Sequence, residues 1–189
     1  MKISPESFIA DEGLCLKYKS IFISGNDEGY ISSFLDLVVS GFSKNGYLKK
    51  NIFENNYTSP DLFGANNKHI FICNKYLGNE YVEEIESNND VLVFYEKTSS
   101  KNKTIKRFFS NSKERALVEC YELDQSKKKI ILNAFVKKHS LVFEKNTYWF
   151  LLDLLDNRYS ILNKELDKIL LLNDKNDMGG LASALSSEQ

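Results

Sequence analysis

Residues 19 to 31 read Lys19-Ser20-Ile21-Phe22-Ile23-Ser24-Gly25-Asn26-Asp27-Glu28-Gly29-Tyr30-Ile31. A β-rich run, a glycine turn and the start of a helix is where nucleotide-binding proteins hold phosphate. Backbone N–H groups wrap the phosphates, a lysine reaches the outer ones and a hydroxyl holds Mg²⁺. That chemistry needs G-x-x-x-x-G-K-[ST], and Gly25 to Ile31 contains no Gly-Lys-Ser/Thr. Asp27 and Glu28 also put negative charge where phosphate would sit. Glu96, at the end of the apolar run Val91 to Tyr95, has the place of a catalytic carboxylate but no phosphate cradle to serve. The pattern is an ATPase-like layout without ATPase chemistry, and it calls for no cofactor.

Other chemistry is thinly represented. His69 opens a strand and His139 closes a helix, neither with a second ligand at metal spacing. Cys15, Cys73 and Cys120 form no C-x-x-C and are odd in number, which argues against a disulfide framework or a zinc knuckle. Ser24, Ser32 and Ser33 lack the G-x-S-x-G elbow. Lys97, Lys101, Lys103, Lys106 and Arg107, beside Phe108 and Phe109, offer contacts to a DNA backbone; a solvated helix face with its apolar side buried explains them better. The most unusual residues are Leu62 and Phe63, an apolar pair between Asp61 and Gly64 in the polar loop Asn55 to Asn67. Such a pair either tucks back over its own core or is offered to a partner as an anchor.

The elements that would position these residues alternate. Strands are expected at Lys19 to Ser24, weakly at Tyr47 to Phe53, and at His69 to Asn74, Val91 to Tyr95 and Ala116 to Cys120. Between them, Tyr30, Ile31, Phe34, Leu35, Val38 and Val39 keep a helical spacing behind Asp27 as N-cap. Leu77 to Ile85 and the basic stretch Lys101 to Phe109 also read as helices. Alternation of this kind implies a mostly parallel sheet with helices on both faces. After Glu122 only helices remain. Asp124 begins one with Ile130, Ile131, Ala134, Phe135 and Val136 inward and Lys127, Lys128, Lys129, Lys137 and Lys138 outward. Two more cover Lys145 to Leu155, with Trp149 expected in the core, and Ser160 to Leu172. The expected division is residues 1–123, α/β, and residues 124–189, helical.

Composition agrees with a globular protein: 189 residues, 42% hydrophobic, with Lys+Arg 25 against Asp+Glu 26 for a net charge of -1. That balance marks no whole-molecule affinity for nucleic acid. No apolar stretch approaches the roughly 20 residues of a membrane helix, and the N-terminus lacks the apolar region of a signal peptide. A soluble, cytoplasmic protein without a membrane partner is expected.

Taken in order, these motifs resemble the delta subunit of the bacterial DNA polymerase III clamp loader. Ile21-Phe22-Ile23-Ser24 followed by Gly25-Asn26-Asp27-Glu28-Gly29-Tyr30-Ile31 is similar to the family's Gly-Asp-Glu-Pro-Phe-Leu element. Asp61-Leu62-Phe63-Gly64 before Ile70-Phe71-Ile72 is similar to its Ser-Leu-Phe element. Val91 to Phe94 with Lys97 and a basic helix, then Leu162-Asn163-Lys164-Glu165-Leu166-Asp167-Lys168-Ile169, similar to the family's Glu-Leu-x-Lys-Leu lid helix, complete the series. The resemblance implies an AAA+-like (RecA-like) α/β domain without a P-loop, followed by a helical lid domain. It implies a subunit that grips and opens the beta sliding clamp through Leu62 and Phe63, flanked by Asp61 and Gly64. Its other partners would be the gamma/tau and delta-prime subunits and, indirectly or weakly, primer-template DNA. Such a subunit has no catalytic centre of its own, although it serves a DNA-directed DNA polymerase (nucleotidyltransferase) holoenzyme. The alternatives are another AAA+ clamp-loader paralogue, which would show a zinc-binding cysteine cluster or a phosphate loop, and a degenerate P-loop-type nucleotide-binding protein. Two departures stand out. The segment before Leu62 is shorter than the family's, and Asn173 to Gln189 runs through Gly179-Gly180 into a Ser- and Ala-rich end, so the collar domain is expected to be missing.

Overall fold

The computed structural model describes residues 1–11, 13–52, 67–97 and 103–185. They divide into two compact units, Met1–Cys120 and Tyr121–Gln189. Among the described residues no helix is long and apolar enough to cross a membrane.

The first unit is built on strands β1 (Lys2–Ile3), β2 (Ser20–Gly25), β3 (Leu48–Asn51), β4 (His69–Cys73), β5 (Val91–Lys97) and β6 (Arg115–Cys120). They form one sheet in the order β1-β6-β2-β5-β4-β3, with every neighbouring pair parallel. Counted from β2, the five main strands run 5-1-4-3-2 across the sheet, the RecA-like order. This is the expected AAA+-like α/β fold. Every residue of β2 and β4 is buried, as strands covered on both faces require. The edge strand β3 is exposed at all four positions, and Lys49 and Lys50 there discourage pairing with another chain.

Helices α1 (Pro5–Ala10), α2 (Glu28–Ser43), α3 (Asn79–Ser87) and α4 (Lys103–Ser110) complete the unit. Asp27 caps α2 by accepting the Tyr30 amide at 2.9 Å. Phe22 stacks on Phe94 with ring centroids 4.7 Å apart and meets Phe109 from α4 at 5.5 Å. On α1, Phe8 is fully buried edge-on against Phe34 of α2. Neither α1 nor β1 is foreshadowed by periodicity, because six and two residues are too few to display one.

The second unit holds α5 (Gln125–Lys138), α6 (Lys145–Leu154), α7 (Tyr159–Leu171) and α8 (Met178–Leu185). It corrects three expectations. The buried stripe of α5 is Lys128, Ile131, Leu132 and Phe135, an i, i+3, i+4, i+7 series. Lys128 is therefore inside and Ile130, off the stripe, is 41% exposed. The Lys128 ammonium is satisfied by the Leu155 carbonyl at 2.8 Å, at the C-terminal end of α6 where a cation is favoured. Trp149 is 47% exposed rather than core. The inward residues of α6 are Thr147, Leu151 and Leu152, and Trp149 points away from them. Finally, the segment expected to trail off forms α8. Its glycines oppose helix formation, but Leu181 and Leu185 are buried and α8 packs on α6 and α7. Packing overrides propensity there.

Candidate functional site

The turn from β2 into α2 occupies the phosphate-cradle position, and the protein's own groups fill it. Gly25 lies opposite Cys120 in the β2–β6 register. A Cβ on Gly25 would stand 1.9 Å from the Cys120 carbonyl oxygen. That same oxygen accepts the Asp27 amide at 3.4 Å. Of the amides in the first turn of α2, that of Tyr30 is taken by the Asp27 carboxylate. Behind it the Tyr30 hydroxyl donates to Glu6 Oε1 at 2.9 Å, and Glu6 is 1% exposed. Burial, reinforced by the nearby charges of Glu6 and Asp27, pushes the Cys120 thiol far above its ordinary range. An anion entering here would meet the Asp27 carboxylate, which already holds one amide of the helix's first turn.

Beside this turn, a cavity of about 420 Å³ opens at the carboxyl ends of the strands. Ile31 and Leu35 of α2 and Tyr95 of β5 line it, with Asn74 just beyond β4. Glu96 also lines it, while Glu28 and Lys97 form an ion pair at its edge. Both partners of that pair are about two-thirds exposed, so it contributes little to stability. Among the described residues no three His, Cys, Asp or Glu side chains converge on a metal position.

The remaining sequence-derived residues fall in two places. Asp61, Leu62, Phe63 and Gly64 belong to the connection between β3 and β4 and lie outside the described residues, as does Lys101. Lys103, Lys106 and Arg107 lie on α4, where Lys103 and Arg107 are exposed and Phe109 is fully buried. Lys106 is committed within the protein: its ammonium donates to Glu119 Oε1 at 2.7 Å, and Lys2 reaches Glu119 Oε2. Sequence reasoning missed Glu6, Glu119 and the Cys120 carbonyl. Pro5 after Ser4, a helix-start signal, was the available clue to α1 and thus to Glu6.

Glu119 supplies a pH signature. Burial alone would raise its pKa, but hydrogen bonds from Lys106 and Lys2 outweigh burial and hold the carboxyl below the ordinary 4.5. A carboxyl with a depressed folded pKa stabilises above its unfolded pKa, and the gain disappears as pH falls through the folded value. Glu119→Gln is thus expected to cost about 1 kcal/mol in urea unfolding at pH 7. The gap should close as pH falls below the folded value. A gap that stays the same across that fall would contradict the ion-pair origin.

No protein-family model matches this chain, and no curated protein matches it. Among solved structures it is similar to the Thermotoga maritima RuvB Holliday junction branch migration motor. The identity is 9% and the TM-score 0.45, with 96% of this chain and 67% of that chain covered. A variant of the same RuvB matches at 8% identity and TM-score 0.43, covering 95% of this chain and 67% of the other. The strand order defines the class: an AAA+-like α/β domain in which Asp27 caps the helix after β2 and Gly25 abuts the end of β6.

Proposed function

We propose that this chain is a clamp-loader subunit of the delta type, which binds a bacterial sliding clamp and favours its open form without performing covalent chemistry. The observation that carries the reading is the filled phosphate position on a RecA-like sheet. An AAA+-like domain without Gly-Lys-Ser/Thr, its cradle position taken up by the Asp27 cap and the end of β6, fits a subunit driven by ATP-binding neighbours, the gamma/tau and delta-prime partners of the clamp-loader resemblance. In this reading Leu62 and Phe63, flanked by Asp61 and Gly64, seat in an apolar pocket of the clamp. Burying each contributes about 1.5–3 kcal/mol, enough for a hot spot but not for tight binding once the cost of association is counted. Contacts flanking the pair must supply the rest. Primer-template DNA is an indirect or weak partner through Lys101, Lys103 and Arg107, with Lys106 less available because Glu119 holds it.

Calorimetry of the chain against a bacterial sliding clamp tests this. Micromolar or tighter binding is expected, weakened at least tenfold in the Leu62→Ala/Phe63→Ala variant. The same protein with Mg-ATP should show no rise in melting temperature. A nucleotide at 100 times its dissociation constant would add about 2.7 kcal/mol, a shift of several degrees. Absence of clamp binding by folded protein would overturn the delta reading, and stabilisation by ATP would favour the nucleotide-binding alternative.

A further inference from the structure

The chain's single tryptophan, Trp149, stands half exposed on the helical unit rather than in its core. Helices α5 and α6 run side by side there, and their exposed residues meet in pairs. The Gln125 amide donates to Asp153 at 2.9 Å, the Lys129 ammonium lies 5.2 Å from the centre of the Trp149 ring, and the Tyr148 hydroxyl donates to Asn133 at 2.7 Å. The Tyr148 ring stands edge-on to the indole at 5.7 Å, which braces it. Helix α5 carries five lysines and no acidic residue. Of these, Lys129 and Lys137 are exposed, two turns apart on one face, and Lys145 is exposed one turn before Trp149 on α6, about 6 Å along the helix. Among the described residues, Lys137 and Lys145 make no ion pair. Asp153 closes the strip at one end, where Gln125 already holds it.

An exposed indole with the Lys129 ammonium over its ring, and exposed Lys137 and Lys145 elsewhere on the same two helices, fits a ligand that offers a flat π-system and a negative charge in each repeating unit. We propose that this face binds single-stranded nucleic acid, with a base replacing the Lys129 ammonium over the Trp149 ring and phosphates taken by Lys129, once it has swung off the ring, Lys137 and Lys145. An acidic protein surface would satisfy the lysines and leave the indole without a stacking partner. The site uses residues of the second unit alone and does not rest on the clamp reading.

Because Trp149 is alone, its fluorescence reports on this face and nothing else. Titration with a dT oligonucleotide at 50 mM salt is expected to quench it saturably. With up to three phosphates neutralised, a single strand has a log–log salt slope of about −2. Affinity should therefore fall roughly 15- to 20-fold between 50 and 200 mM salt. Anisotropy of a labelled oligonucleotide should show at least a fivefold loss for Trp149→Ala and a comparable loss for Lys129→Ala/Lys145→Ala, both checked for native circular dichroism. Leu62→Ala/Phe63→Ala should bind the oligonucleotide as wild type does, so failure here and failure of clamp binding remain distinct. Quenching by polyglutamate but not by dT would overturn the assignment in favour of an acidic protein surface. Unchanged fluorescence and anisotropy with folded protein would overturn the site altogether.

Discussion

Glu86→Ala is expected to cost about 3 kcal/mol of folding free energy, read as a lowered urea midpoint of the α/β unit. Arg115 opens β6 and grips Glu86, in the last turn of α3, with two parallel bonds: Nε at 2.8 Å and Nη2 at 2.7 Å. Ser20, which opens β2 opposite Arg115, donates its hydroxyl to Glu86 Oε1 at 2.6 Å. One carboxylate thus ties two central strands to a helix at the amino end of the sheet. The side chains of Arg115 and Glu86 are only 14% and 11% exposed. The Arg115 guanidinium also lies 4.0 Å from the centre of the Phe108 ring. The hydrogen bond to Glu86 is the chief cause of the raised Arg115 pKa, and the guanidinium is basic enough to stay charged when that partner is lost.

Two effects compete in that pair. Desolvation of both ions opposes the Coulomb attraction, so an intact buried pair contributes little beyond an apolar pair of the same shape. Removing Glu86 is different, because it leaves the mostly buried cation with only the exposed Glu83 carboxylate, 3.7 Å away, and the Ser20 hydroxyl without its acceptor. Ser20→Ala alone should therefore cost about 1 kcal/mol. The double replacement Glu86→Leu/Arg115→Met should recover most of the Glu86→Ala loss. If Glu86→Ala cost less than Ser20→Ala, the pair would be effectively solvated and no cation would be stranded by the loss of Glu86.

Neither Glu86 nor Arg115 could have been paired from the sequence, which explains how far the fold and the site could be read there. Local signals identified the main strands: Val91 to Phe94 must be buried on both faces because no residue in it is polar. Asp27 was legible as a cap for the same local reason. What escaped depended on residues distant in sequence. Trp149 and Ile130 are large and apolar, yet the stripe that their helices bury is fixed by neighbouring helices, and Lys128 is drawn inside because the Leu155 carbonyl awaits it. At the phosphate position, Asp27 and Glu28 announced the wrong charge, while Glu6 and the Cys120 carbonyl arrive from opposite ends of the unit. The proposed clamp-binding pair Leu62–Phe63 was legible from composition only as an anomaly, an apolar couple in a polar loop.

Gly25→Ala is expected to be at least as damaging, about 3 kcal/mol or more, and to do so by sterics alone. The added methyl would stand 1.9 Å from the Cys120 oxygen, 2.6 Å from its carbonyl carbon and 3.0 Å from its Cα. All three are backbone atoms of the neighbouring strand, so no side chain can rotate aside. Relief requires parting β2 from β6, and the Asp27 amide would then lose its bond to the same carbonyl. Gly46→Ala is the control. Gly46 has φ +85, and a methyl added there would meet nothing within 4 Å, so its replacement carries only backbone strain, about 1 kcal/mol. In a phosphate cradle a glycine here leaves room for a ligand; at Gly25 that room is taken by the end of β6. Gly25→Ala should therefore behave as a folding variant, with a lowered denaturation midpoint in the absence of any nucleotide. Native stability for Gly25→Ala would mean that the strand ends part easily, and the filled cradle would no longer argue against nucleotide binding.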